Sequence, residues 1–222
     1  PHIISGVYNG YTTGAPISIM FLNENTRSSD YSQFAAIPRP GHADFTSSKK
    51  YKGYTDPRGG GHFSGRVTLG LVAAGVIAKK IISPVVIQAI LIEAGGSTDI
   101  STAVEKAMES EDSIGGIISC MATNMPVGLG EPFFDSVEAV LAHGLFSIPA
   151  IKGVEFGAGF EAAKMSGSEH NDPIVSADGK TATNNAGGIN GGITNGNDLL
   201  FKVAVKPTSS IGKPQHRLLK TS

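Results

Sequence analysis

Residues 39–80 read RPGHADFTSSKKYKGYTDPRGGGHFSGRVTLGLVAAGVIAKK, and this stretch carries most of what the sequence says about fold and function. Its first part combines two histidines, several cationic side chains and a triple glycine. Glycine lets the backbone approach a ligand closely, and arginine offers a planar fork for phosphate or carboxylate. Histidine adds a proton that moves near neutral pH. The stretch therefore predicts a site for a phosphate-bearing ligand that undergoes proton-coupled chemistry.

The second part of the stretch predicts an amphipathic helix. Ser64 is a favourable N-cap, and one apolar face runs from Val67 to Ile82. Glycines and alanines between these positions make the helix slim, which predicts close packing in an interior, and Pro84 ends it. Residues 39–65 lack a periodic pattern and are predicted to be largely loop. A loop of this length favours function over packing.

Strand and helix patterns alternate through the rest of the chain without a strict βαβ rhythm, which predicts an α+β or mixed α/β fold. Strands are predicted at 17–22, 85–93 (a buried strand), 113–121, 150–156 and 199–205, and helices at 100–110 and 135–146. No linker-like boundary splits the sequence, so residues 1–222 are predicted to form a single domain.

Composition excludes several classes of protein. The formal net charge is −1, so no bulk electrostatic attraction to nucleic acid or to a membrane surface is expected. No apolar run reaches the ~18 residues that span a membrane. One cysteine, Cys120, excludes an internal disulfide framework and a cysteine-based zinc site, and favours a cytoplasmic location. The chain begins with Pro1 on a strand-like run, from which we expect a fragment or an incomplete start.

Three other interpretations of features in the 39–80 stretch remain open at this level. Gly60–Arg66 approaches the phosphate-binding pattern G-x-x-x-x-G-[KR] of nucleotide triphosphatases, but Val67 replaces the Ser or Thr that would hold magnesium. A flexible turn before a core helix would also explain it. His42 and Asp44 could be a metal pair, although two ligands without a third nearby are a weak signal. The long loop around His42 favours an ionisable, functional imidazole.

A second glycine-rich stretch, NNAGGINGG at 184–192, is either a mobile surface loop or part of a binding site. A strand follows it, and then Lys206–Ser210. Backbone amides and hydroxyls near a cation can hold the amide edge of a ring system or a phosphate tail.

Nine segments, taken in order, resemble the chorismate synthase family and cover most of the chain. They are SGVYNGYTTGAPI (5–17), RPGHADFT (39–46), KYKGYTDPRGGGHFSGR (50–66), DSIGG (112–116), PVGLGEPFFD (126–135), SIPAIKGVEFGAGF (147–160), GSEHND (167–172), NNAGGINGGI (184–193) and KPTSSI (206–211). None of them would be decisive alone.

The resemblance implies an α+β fold of the β-α-β sandwich type, usually assembled as a homotetramer. It implies reduced FMN as cofactor and a lyase reaction, the 1,4-elimination of phosphate from 5-enolpyruvylshikimate 3-phosphate to give chorismate in aromatic amino acid biosynthesis. Nicotinamide-dependent (NADP) reduction of the flavin and an outside reductant are both open. A non-catalytic phospholigand-binding remnant of the same fold is the alternative function.

The resemblance also implies roles for individual residues. His42 matches a histidine beside the flavin and is the predicted catalytic residue, and Arg39 and Arg66 match arginines that bind the substrate. The remaining matches are to positions that contact the cofactor: His62, Phe63, Ser64, Asn185, Ala186, Gly191, Lys206, Pro207, Thr208, Ser209 and Ser210. The arginine–histidine turns and the asparagine–lysine turns are expected to line one crevice.

The sequence departs from the family pattern in three respects, one of which is a shorter stretch between Glu93 and Asp112. The family usually has R-S-S-A-R after the triple glycine, where this chain has His62-Phe63-Ser64-Gly65-Arg66. A cation is thereby replaced by a titratable imidazole and a hydroxyl by an aromatic ring. The G-x-S-H-G segment that opens the family and its late G-R-H-D-x-C segment are missing, so the domain is expected to be incomplete at both ends.

Overall fold

A computed structural model describes residues 1–24, 34, 37–56 and 58–215. Their contacts group into two compact units, with Pro1–Ala78 in the first and Lys79–Pro214 in the second. Each unit is described separately below. The prediction of a single domain stays a prediction.

The first unit opens with two short antiparallel ladders and continues into helical segments. β1 pairs with β4, and β2 pairs with β3. In chain order its elements are β1 His2–Ser5, β2 Val7–Tyr8, β3 Tyr11–Thr12, β4 Ser18–Met20, α1 Asp44–Lys50, the 3₁₀ segments Arg58–Phe63 and Gly65–Thr68, and α2 Leu69–Ile81. Strand β4 confirms the strand predicted at 17–22, and the last residues of α2 belong to the second unit.

Helix α1 lies where the sequence predicts mostly loop, so that prediction is wrong for Asp44–Lys50. The segment DFTSSKK has no apolar periodicity, which is why the pattern does not reveal it. Its ends are electrostatically matched instead: Asp44 occupies the first turn, and Lys49 and Lys50 occupy the last. These charges oppose the partial charges of the helix termini, an effect worth about 0.3–1 kcal/mol for each group at the surface.

Ser64 caps the helical stretch as predicted, but Gly65–Thr68 is a 3₁₀ turn, the α-helix begins at Leu69, and its packing differs from the prediction. The Ser64 hydroxyl accepts a hydrogen bond from the Arg66 amide, capping the 3₁₀ turn that leads into the helix, and the helix ends before Pro84. None of its residues is buried within the described part of the chain, and Val72 and Ile81 are 69% and 76% exposed. The prediction that α2 packs in an interior is therefore wrong for the single chain.

The second unit is built on a four-stranded antiparallel sheet in the order β5-β6-β10-β7. Strand β10 lies between two neighbours, so that Phe201 faces Cys120 of one strand and Phe156 of the other. The elements of this unit are β5 Val86–Ala94, α3 Ile100–Glu109, β6 Gly116–Thr123, α4 Val137–Phe146, β7 Ile151–Phe156, α5 Gly167–His170, β8 Ile189–Asn190, β9 Ile193–Thr194 and β10 Leu199–Val205.

The core of the second unit gathers where α4 and the β8–β9 hairpin meet the sheet. Ala122, Val137, Ile189 and Leu199 form one buried cluster. Strand β5 lies at the edge of the sheet, with Ile90 63% exposed. The predicted strand at 85–93 is thus confirmed as a strand, but its predicted burial is wrong. A continuous apolar run indicates a strand and does not reveal whether both faces are covered.

The mixture of helices with antiparallel sheets confirms the predicted α+β class. Within the described residues, no helix combines the length and the apolar character that crossing a membrane requires.

Candidate active site

A tight turn places His42 immediately before α1. The His42 amide donates to the Arg39 carbonyl over 3.4 Å, and Gly41 has a φ of 69°. A turn of type II has this arrangement, with proline at the second position and a positive φ at the third, where glycine avoids the cost of a Cβ. The sequence Arg39-Pro40-Gly41-His42 therefore encodes the turn that positions the imidazole.

Arg39 and Asp44 form a two-pronged ion pair across this turn, here named the Arg39–Asp44 clamp. Nε and Nη2 of Arg39 donate to Oδ2 and Oδ1 of Asp44, each over 2.9 Å. The Arg39 amide also donates to Oδ2 over 2.9 Å. The guanidinium carbon lies 4.1 Å from the centre of the Phe34 ring. Such a planar, bidentate pair holds the guanidinium in one orientation.

The clamp also controls the charge of Asp44. Burial works to raise the pKa of this carboxyl, but the hydrogen bonds from Arg39 outweigh burial, so the pKa lies below its ordinary value of 3.8. The charges of Arg39 and His42 act in the same direction. Asp44 is therefore an arginine partner in this structure rather than half of the metal pair that the sequence left open.

A cavity of about 390 Å³ lies within the first unit, and it brings four of the predicted site residues together. Arg39, His42, Phe63 and Ser64 all line it. His62 and Arg66 are exposed and are not among its lining residues. Ligand pockets typically measure about 300–1,000 Å³, so this cavity can take part or all of a small phosphorylated metabolite.

Thr55 gives the cavity a buried polar group. Thr55 lines the cavity, and among the residues that the structure describes its Oγ1 has no hydrogen-bond partner. Leaving such a group unsatisfied costs about 1–3 kcal/mol. A polar ligand that reached this hydroxyl would recover that cost, which supports a binding role for the cavity.

The two residues that depart from the family pattern form an aromatic stack. The rings of His62 and Phe63 lie 4.5 Å apart at 23°, and Tyr51 approaches both with centroid distances of 6.3 Å. Phe63 contributes its side chain to the cavity wall. Where the pattern has a cation and a hydroxyl, this chain therefore has an exposed imidazole stacked on an aromatic ring that lines the cavity.

The glycine-rich stretch at 184–192 is tied down in the second unit by the carboxylate of Asp172. Oδ1 accepts from the Asn185 amide over 2.8 Å and from the Thr183 hydroxyl over 2.7 Å. Oδ2 accepts from the Ala186 amide over 2.9 Å. Burial would raise the pKa of Asp172, but these hydrogen bonds, led by that of Ala186, hold it below its ordinary value. The fixed hydrogen bonding favours a built loop over the mobile surface loop.

The next two amides of this stretch are also used internally. Gly187 donates to the Asn184 carbonyl over 3.1 Å, and Gly188 donates to Oδ1 of Asn184 over 2.7 Å. All four successive amides from Asn185 to Gly188 thus have partners within the unit. These amides are thus engaged within the unit, and the predicted cofactor contact of Asn185 and Ala186 stays a prediction. Gly191, at the exposed tip of the β8–β9 hairpin, has open space where a Cβ would stand.

Lys206 and Ser209 form a separate polar group at the far end of β10. The ammonium of Lys206 donates to the Ser209 hydroxyl over 2.5 Å, and the Ser113 hydroxyl donates to the Thr208 carbonyl over 2.6 Å. Asn185 lies at the opposite end of that strand, where Leu200 donates to Gly187. Seven residues of strand span roughly 20 Å. The structure therefore does not place Asn185 beside Lys206.

The remaining predicted positions keep the status of predictions. Pro207 and Ser210 are exposed in the segment after β10. The single crevice lined by residues of the first unit and of the second also stays a prediction.

Asp172 and Thr55 are site residues that the sequence did not predict. For Asp172 the available signal was an acidic residue at the end of GSEHND, twelve positions before a glycine-rich run that needs acceptors for its amides.

Comparison with known proteins places these features in one family. The family model for chorismate synthase matches residues 1–221. A chorismate synthase from Chitinophaga pinensis is 63% identical over 219 residues, covering 98% of this chain and 66% of that protein. One from Korarchaeum cryptofilum is 47% identical, covering 96% of this chain and 68% of that protein.

A solved crystal structure of a chorismate synthase superposes with a TM-score of 0.76 at 29% sequence identity. It covers 93% of this chain, and the match spans 70% of the solved chain. The chain thus spans about two thirds of the length of the curated relatives it matches. The matching family model, the identities and the shared fold agree: this chain belongs to the chorismate synthase family.

Proposed function

We propose that this chain carries the lyase reaction of its family, the 1,4-elimination of phosphate from 5-enolpyruvylshikimate 3-phosphate to give chorismate for aromatic amino acid biosynthesis. The observation that supports it most is the cavity of the first unit, which combines His42 with an arginine fixed by the Arg39–Asp44 clamp. An anionic substrate needs donors held in place, and a proton-coupled elimination needs a titratable group beside them.

In this proposal the residues of the cavity bind and orient the substrate. Asp44 holds Arg39 through Nε and Nη2, which fixes the orientation of the planar guanidinium at the cavity wall. Arg66 assists in capturing the anionic groups from its exposed position. His42 holds or moves a proton at its imidazole, beside the negatively charged Asp44 carboxylate. Thr55 Oγ1 offers one further hydrogen bond.

Reduced FMN is the cofactor in this proposal, and when bound it supplies electron density that assists the loss of phosphate. Each unit, taken by itself, offers residues that fit parts of such a group. Phe63 offers an aromatic face, and Ser64 a hydroxyl, in the cavity wall. Lys206 and Ser209 form a cation–hydroxyl pair suited to a phosphate. Asn185 Oδ1 and the Ala186 carbonyl accept no hydrogen bond from the described residues, so they are acceptors that suit an N–H group of the cofactor. An aromatic wall also keeps water away from a reduced ring.

We further propose a homotetramer in the cytoplasm, without nucleic acid or membrane partners. The exposed apolar side chains of α2 and β5 support assembly, because such surfaces mark contacts with other chains. The near-neutral net charge supports the lack of a nucleic-acid partner.

The test is an anaerobic assay of the 222-residue chain with chemically reduced FMN and 5-enolpyruvylshikimate 3-phosphate, following chorismate absorbance and phosphate release. His42→Asn is expected to lower turnover by ~100-fold, the typical contribution of a positioned acid or base. The matched control is His143→Asn, on the exposed side of α4, which should leave turnover unchanged. Equal turnover in the His42 variant and the parent would remove the imidazole from the mechanism.

The alternative, a non-catalytic phospholigand-binding remnant, is favoured by one feature, the replacement of a cation and a hydroxyl by the His62–Phe63 stack. The same assay separates the two functions. A change in the flavin spectrum on adding substrate, without chorismate, supports the remnant. Chorismate formed over many turnovers supports the enzyme.

A further inference from the structure

A second cavity, of about 510 Å³, lies in the second unit along one side of α3, and it is here named the α3 cavity. Most of its lining residues fall between Glu93 and Asp112, the segment in which the chain is shorter than the family pattern. None of its lining residues is among the positions predicted to bind the substrate or the cofactor. The proposed reaction therefore gives this cavity no role.

Small side chains on α3 leave this space unfilled. Asp99, Ala103, Lys106 and Ala107 line the cavity, and their spacing of three or four residues places them on one face of the helix. Alanines occupy the middle of that face, so no large side chain fills the gap between α3 and Ile114. Ligand pockets typically measure about 300–1,000 Å³, so the α3 cavity has room for a small metabolite.

The wall opposite α3 is held by hydrogen bonds. The Ser113 hydroxyl donates to the Thr208 carbonyl over 2.6 Å, and the Gly95 amide donates to the Gly115 carbonyl over 2.8 Å. A Cβ on Gly95 would lie 3.2 Å from Cδ1 of Ile114, so this side chain packs directly over the glycine. A ligand that enters does not have to order this wall first, which favours binding.

The α3 cavity carries an anion and a cation that are not joined to each other. Hydrogen bonds from the hydroxyl and the amide of Thr102 hold the pKa of Asp99 below its ordinary value of 3.8, and the charge of Lys106 acts in the same direction. Asp99 is therefore a carboxylate at neutral pH. Within the described part of the chain, the Lys106 ammonium makes no hydrogen bond and no ion pair. The second carboxylate of the cavity, Asp112, is already paired with Lys213 Nζ over 2.7 Å.

These charges select among ligands. A doubly charged phosphate would meet two carboxylates on the walls, Asp99 and Asp112, against the single ammonium of Lys106. A zwitterion suits the walls better, because its own ammonium and carboxylate can each meet a group of opposite charge. The methyl groups of Ala103 and the side chain of Ile114 add an apolar surface, which suits an alkyl group on the ligand.

We propose that the α3 cavity binds a free α-amino acid with a small apolar side chain. Asp99 accepts hydrogen bonds from the ammonium of the ligand, and Lys106 donates to its carboxylate. The alkyl group lies against Ala103, Ala107 and Ile114. Asp99 and Lys106 are both exposed, so each pairing contributes modestly, and the expected dissociation constant is on the order of 1 mM. This site is independent of the proposed reaction.

Three compounds with one carbon skeleton test the proposal. They are L-valine, isovalerate, which lacks the ammonium group, and isobutylamine, which lacks the carboxylate. Saturation-transfer NMR titrations of the full chain, without flavin or substrate, give the three dissociation constants. L-valine should bind at least fivefold more tightly than either of the other two. A smaller preference over either compound, or no binding of L-valine up to about 20 mM, would overturn the proposal.

Two variants locate the binding. Lys106→Met should weaken L-valine at least fivefold and leave isobutylamine unchanged, because that compound has no carboxylate to lose a partner. Asp99→Asn keeps a favourable N-cap for α3 but removes the charge, so it should weaken L-valine and isobutylamine and leave isovalerate unchanged. If both variants bind L-valine as the parent does, the ligand lies elsewhere and the proposal fails.

The matched control is Lys152→Met, on an exposed position of β7 that does not line the α3 cavity. It should preserve all three affinities, and a loss equal to that of Lys106→Met would overturn the assignment of the ligand carboxylate to Lys106. Circular dichroism of each variant checks folding. If one variant does not fold, the other variant and the three compounds on the parent chain still decide the proposal.

Discussion

The Arg39–Asp44 clamp yields a quantitative prediction for the variant Asp44→Asn. The two side chains are 21% and 17% exposed, so the pair lies between the surface and the interior. An exposed pair is worth about 0.2–1 kcal/mol, and removing one partner of a fully buried pair costs about 3–5 kcal/mol. Asparagine keeps the shape and one acceptor oxygen but loses the charge. We therefore expect a loss of about 2 kcal/mol at pH 7.

The pH dependence follows from the lowered pKa of Asp44. Because the folded pKa lies below the ordinary value of 3.8, the unfolded chain binds the proton more tightly than the folded chain. The contribution of the carboxylate is fully present above the unfolded pKa and is lost as the pH falls through the folded pKa. The difference in stability between parent and variant should thus be constant from pH 7 to about pH 5 and shrink below pH 3.8.

Urea unfolding followed by far-UV circular dichroism measures this difference, since the chain has no tryptophan to report on unfolding. The matched control is Glu161→Gln, which removes the charge from a pair with Lys164 whose side chains are 68% and 71% exposed. That change should cost less than about 0.5 kcal/mol. The reasoning fails if the two variants lose equal stability, or if the Asp44→Asn difference persists unchanged in acid.

Two further substitutions test packing in the second unit by the same unfolding measurement. Gly157→Ala places a Cβ into the backbone of the glycine-rich stretch at a φ of 55°, and should cost about 3 kcal/mol. Gly167→Ala, with nothing within 4 Å, should be nearly neutral, and similar losses for both would contradict the prediction. Thr194→Val leaves the Leu129 amide without its hydroxyl acceptor at a site 1% exposed, so we expect a loss of about 2 kcal/mol. The exposed Thr102→Val should lose much less, and parity between them would refute the role of that bond.

The parts of the fold that follow from local chemistry could be predicted from the sequence. Ser64 caps the turn before α2 because its hydroxyl satisfies a free amide, and that rule needs no tertiary information. The strand at 199–205 could be predicted from its residue pattern, because successive side chains of a strand point to opposite faces of a sheet. The turn that positions His42 depends on the adjacent pair Pro40 and Gly41.

Features that depend on distant partners could not be predicted in this way. The burial of β5 depends on what lies beside an edge strand, which its apolar composition does not reveal. The role of Asp172 depends on a carboxylate reaching amides more than ten residues away along the chain. The sequence of the glycine-rich stretch predicts a set of donors for a ligand, because sequence alone cannot show that the Asn185 and Ala186 amides already donate to Asp172.

The close contact between Gly157 and Gly187 has a consequence for how this chain can diverge. A side-chain atom added to Gly187 would meet Gly157 nitrogen at 2.5 Å and its Cα at 2.8 Å, and Gly157 is crowded by the same backbone in return. Because main-chain atoms do the crowding, no second replacement elsewhere makes room for the first. We therefore expect both positions to remain glycine together in related sequences. A relative that has lost either glycine should follow a different backbone path at this point.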